Sequence, residues 1–99
     1  MVKLIMTWNI KPGKEQEYFS YILHEYLPQL NQLGFDVTDA WLTAYGGHPQ
    51  ILLGAIMGSW TLAEQAIRNE KFHRINEELL DYVDDLDYKL VPNKGGFQF

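Results

Sequence analysis

His73 and Asn9 are the residues of this chain whose types and positions suit proton transfer and carbonyl polarisation. His73 follows the apolar Phe72 at the edge of a predicted helix face. An imidazole there could reach into a helix–sheet cleft and act as acid or base near neutral pH. The alternative is a boundary histidine with its tip in water. Asn9 closes the first predicted strand, where its amide could hold a substrate carbonyl or an oxyanion, or simply start the loop before Lys11-Pro12. These two are the candidate catalytic residues. Trp8, Trp41, Tyr45 and Trp60 fall on strands or strand ends. Such polar-tipped aromatics wall pockets for planar ligands, and they equally pack cores and interfaces. His48, in a turn before Pro49, could rim the same pocket or serve as a polar turn residue. Trp8, Trp41, Tyr45, Trp60 and His48 are therefore the candidate ligand contacts.

Other features carry less chemistry. His24 is expected opposite the apolar stripe of the first helix, on a surface shared with Tyr21 and Pro28. Asp81, Asp84, Asp85 and Asp87 gather where the second helical region should end, against the helix dipole. They lack the spacing of a calcium loop, so a solvated acidic end is expected and no metal site. Gly46-Gly47 precedes a strand, which makes it a turn and not a phosphate cradle. With no Cys in the chain, disulfides, thiolate zinc sites and cysteine nucleophiles are excluded. No cofactor is implied. Ionisable residues are not paired for acid–base work, which favours binding over catalysis.

The elements that must position these residues belong to one domain, residues 1–99. Hydrophobic residues make up 46% of the chain and charged ones 21%, proportions that suit a soluble globular protein. Aromatics reach 14%, which raises the odds of a binding surface. The net charge is −5 and the eight Lys and Arg form no stripe, so a nucleic-acid partner is not expected. No apolar run is long enough for a membrane span or a leader, and a cytoplasmic setting is expected.

Residues 2–10 read as a strand broken by Pro12-Gly13. Residues 14–33 have helical period, with Phe19, Ile22, Leu23, Tyr26, Leu27, Leu30 and Leu33 on one face. Pro28 should kink or divide that helix near Tyr26-Leu27, and Gly34 should cap it. Residues 35–45 form a second strand, and a short turn leads to a third at 50–58 in an antiparallel hairpin. In that third strand neither alternating face is polar: Ile51, Leu53, Ala55 and Met57 face one way, Leu52, Gly54 and Ile56 the other. Thr61 and Glu64 match a capping box. Helix then runs to about residue 85, breaking near Asn69-Glu70 where the apolar phase rotates. Residues 88–91 make the last strand, and Phe97-Gln98-Phe99 a tail suited to docking.

Strand, helix, strand, strand, helix, strand is the split βαβ, ferredoxin-like arrangement, an α+β fold on an antiparallel sheet. Its helices cover one sheet face. The doubly apolar third strand requires cover on the other, and a second copy of the chain supplies it, giving a homodimer.

Trp8-Asn9-Ile10-Lys11-Pro12-Gly13-Lys14, Gly58-Ser59-Trp60, Asn69-Glu70-Lys71-Phe72 and Trp41-Leu42-Thr43-Ala44-Tyr45-Gly46 together resemble the dimeric α/β-barrel superfamily, with its antibiotic-biosynthesis-monooxygenase-like and NIPSNAP-like members. The resemblance implies a ligand cleft between helices and sheet, holding a small apolar or aromatic molecule. It also implies an alternative, a cofactor-independent monooxygenase, isomerase or cyclase; a third, structural reading is a dimerisation module without a ligand, which a cleft filled by side chains would favour. Haem-degrading members carry Asn on the first strand with Trp and His on the second helix. Asn9 fits, but the other two positions are Ala66 and Asn76, so haem degradation is not implied.

Overall fold

The computed structural model describes residues 1–43 and 50–93. Tyr45, His48 and the 97–99 tail lie outside the described residues. Four strands, β1 (Val2–Ile10), β2 (Asp36–Leu42), β3 (Ile51–Met57) and β4 (Val83–Pro92), form one sheet in the order β2-β3-β1-β4. Every neighbouring pair is antiparallel, as the ferredoxin-like reading expects. No described helix is long and apolar enough to cross a membrane.

The first helical region comprises α1 (Glu15–Tyr21), a π-helical segment (Ile22–Tyr26) and α2 (Leu27–Gln32). In a regular helix the Pro28 ring would strike the carbonyl four residues back. Here the Leu27 N–H bonds the Ile22 carbonyl instead, a five-residue step. The wider turn also corrects the helix phase. Four residues of α-helix overshoot one turn by about 40°, so Tyr18, Ile22, Tyr26 and Leu30 would drift by roughly 120° along a regular helix. The π segment absorbs about one residue of rotation, and all four are buried. The expected stripe is corrected accordingly: Phe19 and Leu23 are exposed, whereas Tyr21, expected on the surface beside His24, is buried. Gly34 ends the region at φ +103°, the left-handed conformation that favours glycine.

After β3 come α3 (Trp60–Arg68) and α4 (Glu70–Leu79). The cap of α3 is Ser59, whose hydroxyl accepts the Leu62 N–H at 3.2 Å. Thr61 is already inside the helix, and Glu64 pairs with Arg68 at 3.6 Å, which corrects the capping-box reading. The expected break at Asn69 is present: ψ of 138° ends α3, and the Asn69 side chain caps α4 through the Lys71 N–H at 2.8 Å. The second helical region stops earlier than expected, at Leu79. Asp84, Asp85 and Asp87 therefore lie on β4, an edge strand, where exposed charge discourages unwanted strand pairing. A register shift between Thr7 and Asn9 accompanies Asp85 at φ 57°.

The sheet has two unlike faces. Val2, Leu4, Met6 and Trp8 of β1, with Ile51, Leu53, Ala55 and Met57 of β3, pack against Tyr18, Tyr26, Leu30, Phe72, Ile75 and Leu79 of the helices. No described element packs on the other face. Its rungs follow from strand register: Asp36, Ile56, Lys3 and Val91; Asp39, Gly54, Ile5 and Lys89; Trp41, Leu52, Thr7 and Asp87. The apolar character of β3 does not extend across it, and the surface is mixed. Lys3 Nζ meets Asp39 Oδ2 at 2.5 Å, and the ammonium holds the Asp39 carboxyl below the usual carboxylate range.

Candidate functional site

Where the helices meet the C-terminal half of β1, the interior is built from polar-tipped rings. Trp8, 1% exposed, donates its indole N–H to Tyr18 Oη at 2.8 Å. Tyr18 and Tyr26 stand edge-on to Trp8, with ring centroids 6.4 and 6.1 Å away. Tyr26 donates to Asn76 Oδ1 at 2.6 Å, and its oxygen also lies 3.2 Å from Met6 Sδ. Tyr21 donates to the Ile75 carbonyl at 2.8 Å, beside Glu78 Oε2 at 3.3 Å. Among the described residues no buried side-chain polar atom lacks a hydrogen-bond partner. Around these rings the described side chains satisfy one another's hydrogen bonds.

Burial pushes the Tyr18 phenol up to about 12, against a small opposing effect of the Trp8 hydrogen bond. Burial also raises Tyr21, helped by the neighbouring Glu78 carboxylate, and raises Tyr26. At neutral pH all three are neutral phenols, able to donate a hydrogen bond and unsuited to act as bases. The unfolded chain ionises near pH 10 while the folded chain still holds these protons. The stability they lend is therefore whole below pH ~10 and falls as pH rises toward about 12. Absorbance at 295 nm followed alongside circular dichroism should show at least three phenols ionising late, in step with unfolding. Ionisation of all tyrosines near pH 10 with the fold intact would contradict this packing.

Asn9 stands on the opposite sheet face from Trp8. Its Oδ1 accepts the Gln50 N–H at 2.7 Å, and its Nδ2 donates to Asp85 Oδ2 at 3.0 Å. Gln50 answers by accepting the Ile10 N–H at 2.9 Å. The amide therefore ties the end of β1 to the start of β3 and to the bulge of β4. His73 is exposed, in a shallow depression with Asn69, Glu70, Lys71, Arg74 and Glu77. Lys11, two residues after Asn9, reaches the Leu80 carbonyl at the far end of α4. His73 lies seven residues before Leu80, about 10 Å back along the helix. The fold thus holds His73 and Asn9 apart.

Trp41 is 56% exposed on the uncovered sheet face, opposite Leu52. Trp60, half-exposed, starts α3 just past the C-terminal end of β3. That end of β3 pairs with Val2, so Trp60 sits at the opposite end of the sheet from Trp8 and Asn9. Of the candidate ligand contacts among the described residues, Trp8, Trp41 and Trp60, only Trp8 enters the helix–sheet interior. Tyr18, Tyr21 and Asn76 were not read from the sequence as site residues. The signal for Asn76 was a polar residue on a helix face otherwise made of Phe72, Ile75 and Leu79.

No protein-family model matches the sequence, and no curated protein does. Solved structures match it along nearly their whole length. An uncharacterized NIPSNAP domain protein from Burkholderia xenovorans superposes with a TM-score of 0.70 at 14% identity, over 99% of this chain and 100% of that one. A NIPSNAP family protein from Agrobacterium tumefaciens gives 0.70 at 16%, over 92% and 90%. A candidate antibiotic biosynthesis monooxygenase from Nitrosomonas europaea gives 0.68 at 11%, over 96% and 100%. By fold, the chain is a ferredoxin-like α+β domain of the kind seen in NIPSNAP-domain and antibiotic-biosynthesis-monooxygenase-like proteins.

Proposed function

We propose that the chain works as a homodimer whose uncovered sheet faces pack together, and that assembly and non-covalent binding carry its role. The observation behind this reading is Trp41, more than half exposed on a face that also presents Leu52, Ile5, Ile56 and Val91. A monomer gains nothing by holding an indole in water there, whereas an interface core is enriched in such rings. Charge distribution favours a second copy as the occupant. The β2 edge carries Asp36 and Asp39, and the β4 edge carries Lys89 and, one rung on, Asp87. A two-fold axis along the strands lays one copy's β2 edge over the other's β4 edge, so Asp39 meets Lys89, Asp36 meets Val91 and Asp87 meets Trp41, and no like charges on these edges oppose one another. The overall charge of −5 favours protein or small-molecule partners over nucleic acid.

Light scattering at about 10 μM should return twice the 11.6 kDa chain mass. Trp41→Lys should return a monomer with unchanged far-ultraviolet circular dichroism. A monomeric parent protein would sink the proposal. A second reading, a small aromatic molecule held between helices and sheet, requires the polar-tipped rings of that space to open and exchange their mutual hydrogen bonds for the guest. The enzymatic alternative has less support, because His73 and Asn9 are held apart and both ends of the Asn9 amide are engaged.

A further inference from the structure

An ion pair crosses β3 on the uncovered face, among Ile5, Leu52, Ile56 and Trp41, with Asp36, Asp87 and Lys89 on the outer strands. Lys3 is 5% exposed even in the single chain. Its ammonium spans from β1 across β3 to Asp39 on β2, and Thr38 Oγ1 lies 3.1 Å from the same carboxylate oxygen. Gly54 makes this crossing possible. A Cβ on residue 54 would lie 2.7 Å from Lys3 Cε and 2.9 Å from Asp39 Oδ2. The missing side chain is a notch in which the pair lies flat, close to the backbone, leaving the face level enough for another sheet. A purely apolar set at positions 3, 39 and 54 would make as good a sheet. It would also carry no charge on the inner strands to distinguish one docking from another.

We propose that the Lys3–Asp39 pair seated over Gly54 fixes the register in which a second copy docks, with Asp39 facing Lys89 of the partner subunit. This rests on the homodimer reading above. Asp39 and Lys89 lie on the same rung at opposite edges of the sheet. A half-turn about an axis along the strands superimposes the two edges. Registers that set Lys3 against Lys3, or Asp39 against Asp39, juxtapose like charges away from water and are rejected. The pair thus selects among dockings that the apolar residues alone would not distinguish.

The test compares dimer dissociation constants by analytical ultracentrifugation for the parent, Asp39→Asn and Lys89→Glu. Removing one partner of a buried charge pair should weaken the dimer by roughly thirtyfold or more. Lys89 is exposed on an edge strand, so Lys89→Glu retains the fold even if Asp39→Asn does not. The double variant Lys3→Met/Asp39→Leu should still associate, but as a mixture of assemblies by native mass spectrometry. A dimeric parent whose Asp39→Asn and Lys89→Glu variants bind within twofold of it overturns this inference alone, as does a double variant that stays a clean dimer. A monomeric parent overturns the homodimer reading first.

Discussion

Leu53→Asp should leave no folded protein, whereas Leu52→Asp, one residue earlier on the same strand, should leave a folded monomer. Leu53 is 4% exposed and belongs to the core under the helices. The substitution removes a buried leucine, worth about 2–5 kcal/mol, and puts a carboxylate in its place at a further cost of several kcal/mol. A domain of this size has about 5–15 kcal/mol in total, so the sum exceeds or exhausts it. Leu52 is half-buried on the uncovered face, between Trp41 and Thr7. A carboxylate there stays in water while the chain is alone and enters an interface only on pairing. Urea melts and light scattering on both variants check the contrast. Equal unfolding of the two would mean that the faces of β3 are not divided as described. Ile56, also half-buried on the uncovered face, should behave like Leu52.

That division was legible in the sequence because a strand has period two. The alternation of Ile51, Leu53, Ala55 and Met57 with Leu52, Gly54 and Ile56 separates the faces whatever the tertiary contacts. Gly54 marked a gap, but the sequence does not show what fills it. The occupants, Lys3 and Asp39, come from positions 51 and 15 residues away and meet only through sheet order. The first helical region was less legible for a related reason. Its apolar stripe was laid out at 3.6 residues per turn, and the π segment at Ile22–Tyr26 adds a residue that no fixed period anticipates. A fixed period therefore points Phe19 and Leu23 inward and Tyr21 outward, the reverse of what the fold does. Pro28 was the available clue, since its clash with the preceding turn is what a wider turn relieves.

The candidate site divides along the same line. Trp8 and Asn9 were placed correctly at the end of β1, and strand alternation puts them on opposite faces. His73 sat at the border of the α4 apolar face, where one residue's rotation, about 100°, decides between interior and solvent. Phe72 and Ile75 took the inner positions and left His73 outside. The acidic residues from Asp84 to Asp87 looked like a helix end because Val83 and Leu86 continue the helical spacing from Leu79. The fold instead uses Val83 to begin an edge strand.

Trp8→Ala should cost about 3–5 kcal/mol, the range for truncating a large buried aromatic, and should leave a space that binds indole. The lost ring contacts Tyr18 and Tyr26 edge-on, and the lost N–H is the donor to Tyr18 Oη. The side chains around it are fixed by Asn76 and by the Ile75 carbonyl, so the space collapses only in part. Indole matches the shape of the missing side chain and can restore its hydrogen bond. At 100 times its dissociation constant it should return about 2.7 kcal/mol. Thermal melts of parent and variant with millimolar indole separate the two readings of the interior. If the parent melts at the same temperature with and without indole, the closed aromatic packing is complete in itself and the interior is a core. If the parent is stabilised as much as the variant, the rings open around a planar guest, and the helix–sheet space is the ligand site. The packing of Trp8, Tyr18, Tyr21 and Tyr26, each with its polar atom engaged, predicts the first result: opening would break the Trp8–Tyr18 and Tyr26–Asn76 hydrogen bonds, and the single N–H of indole replaces at most one of them.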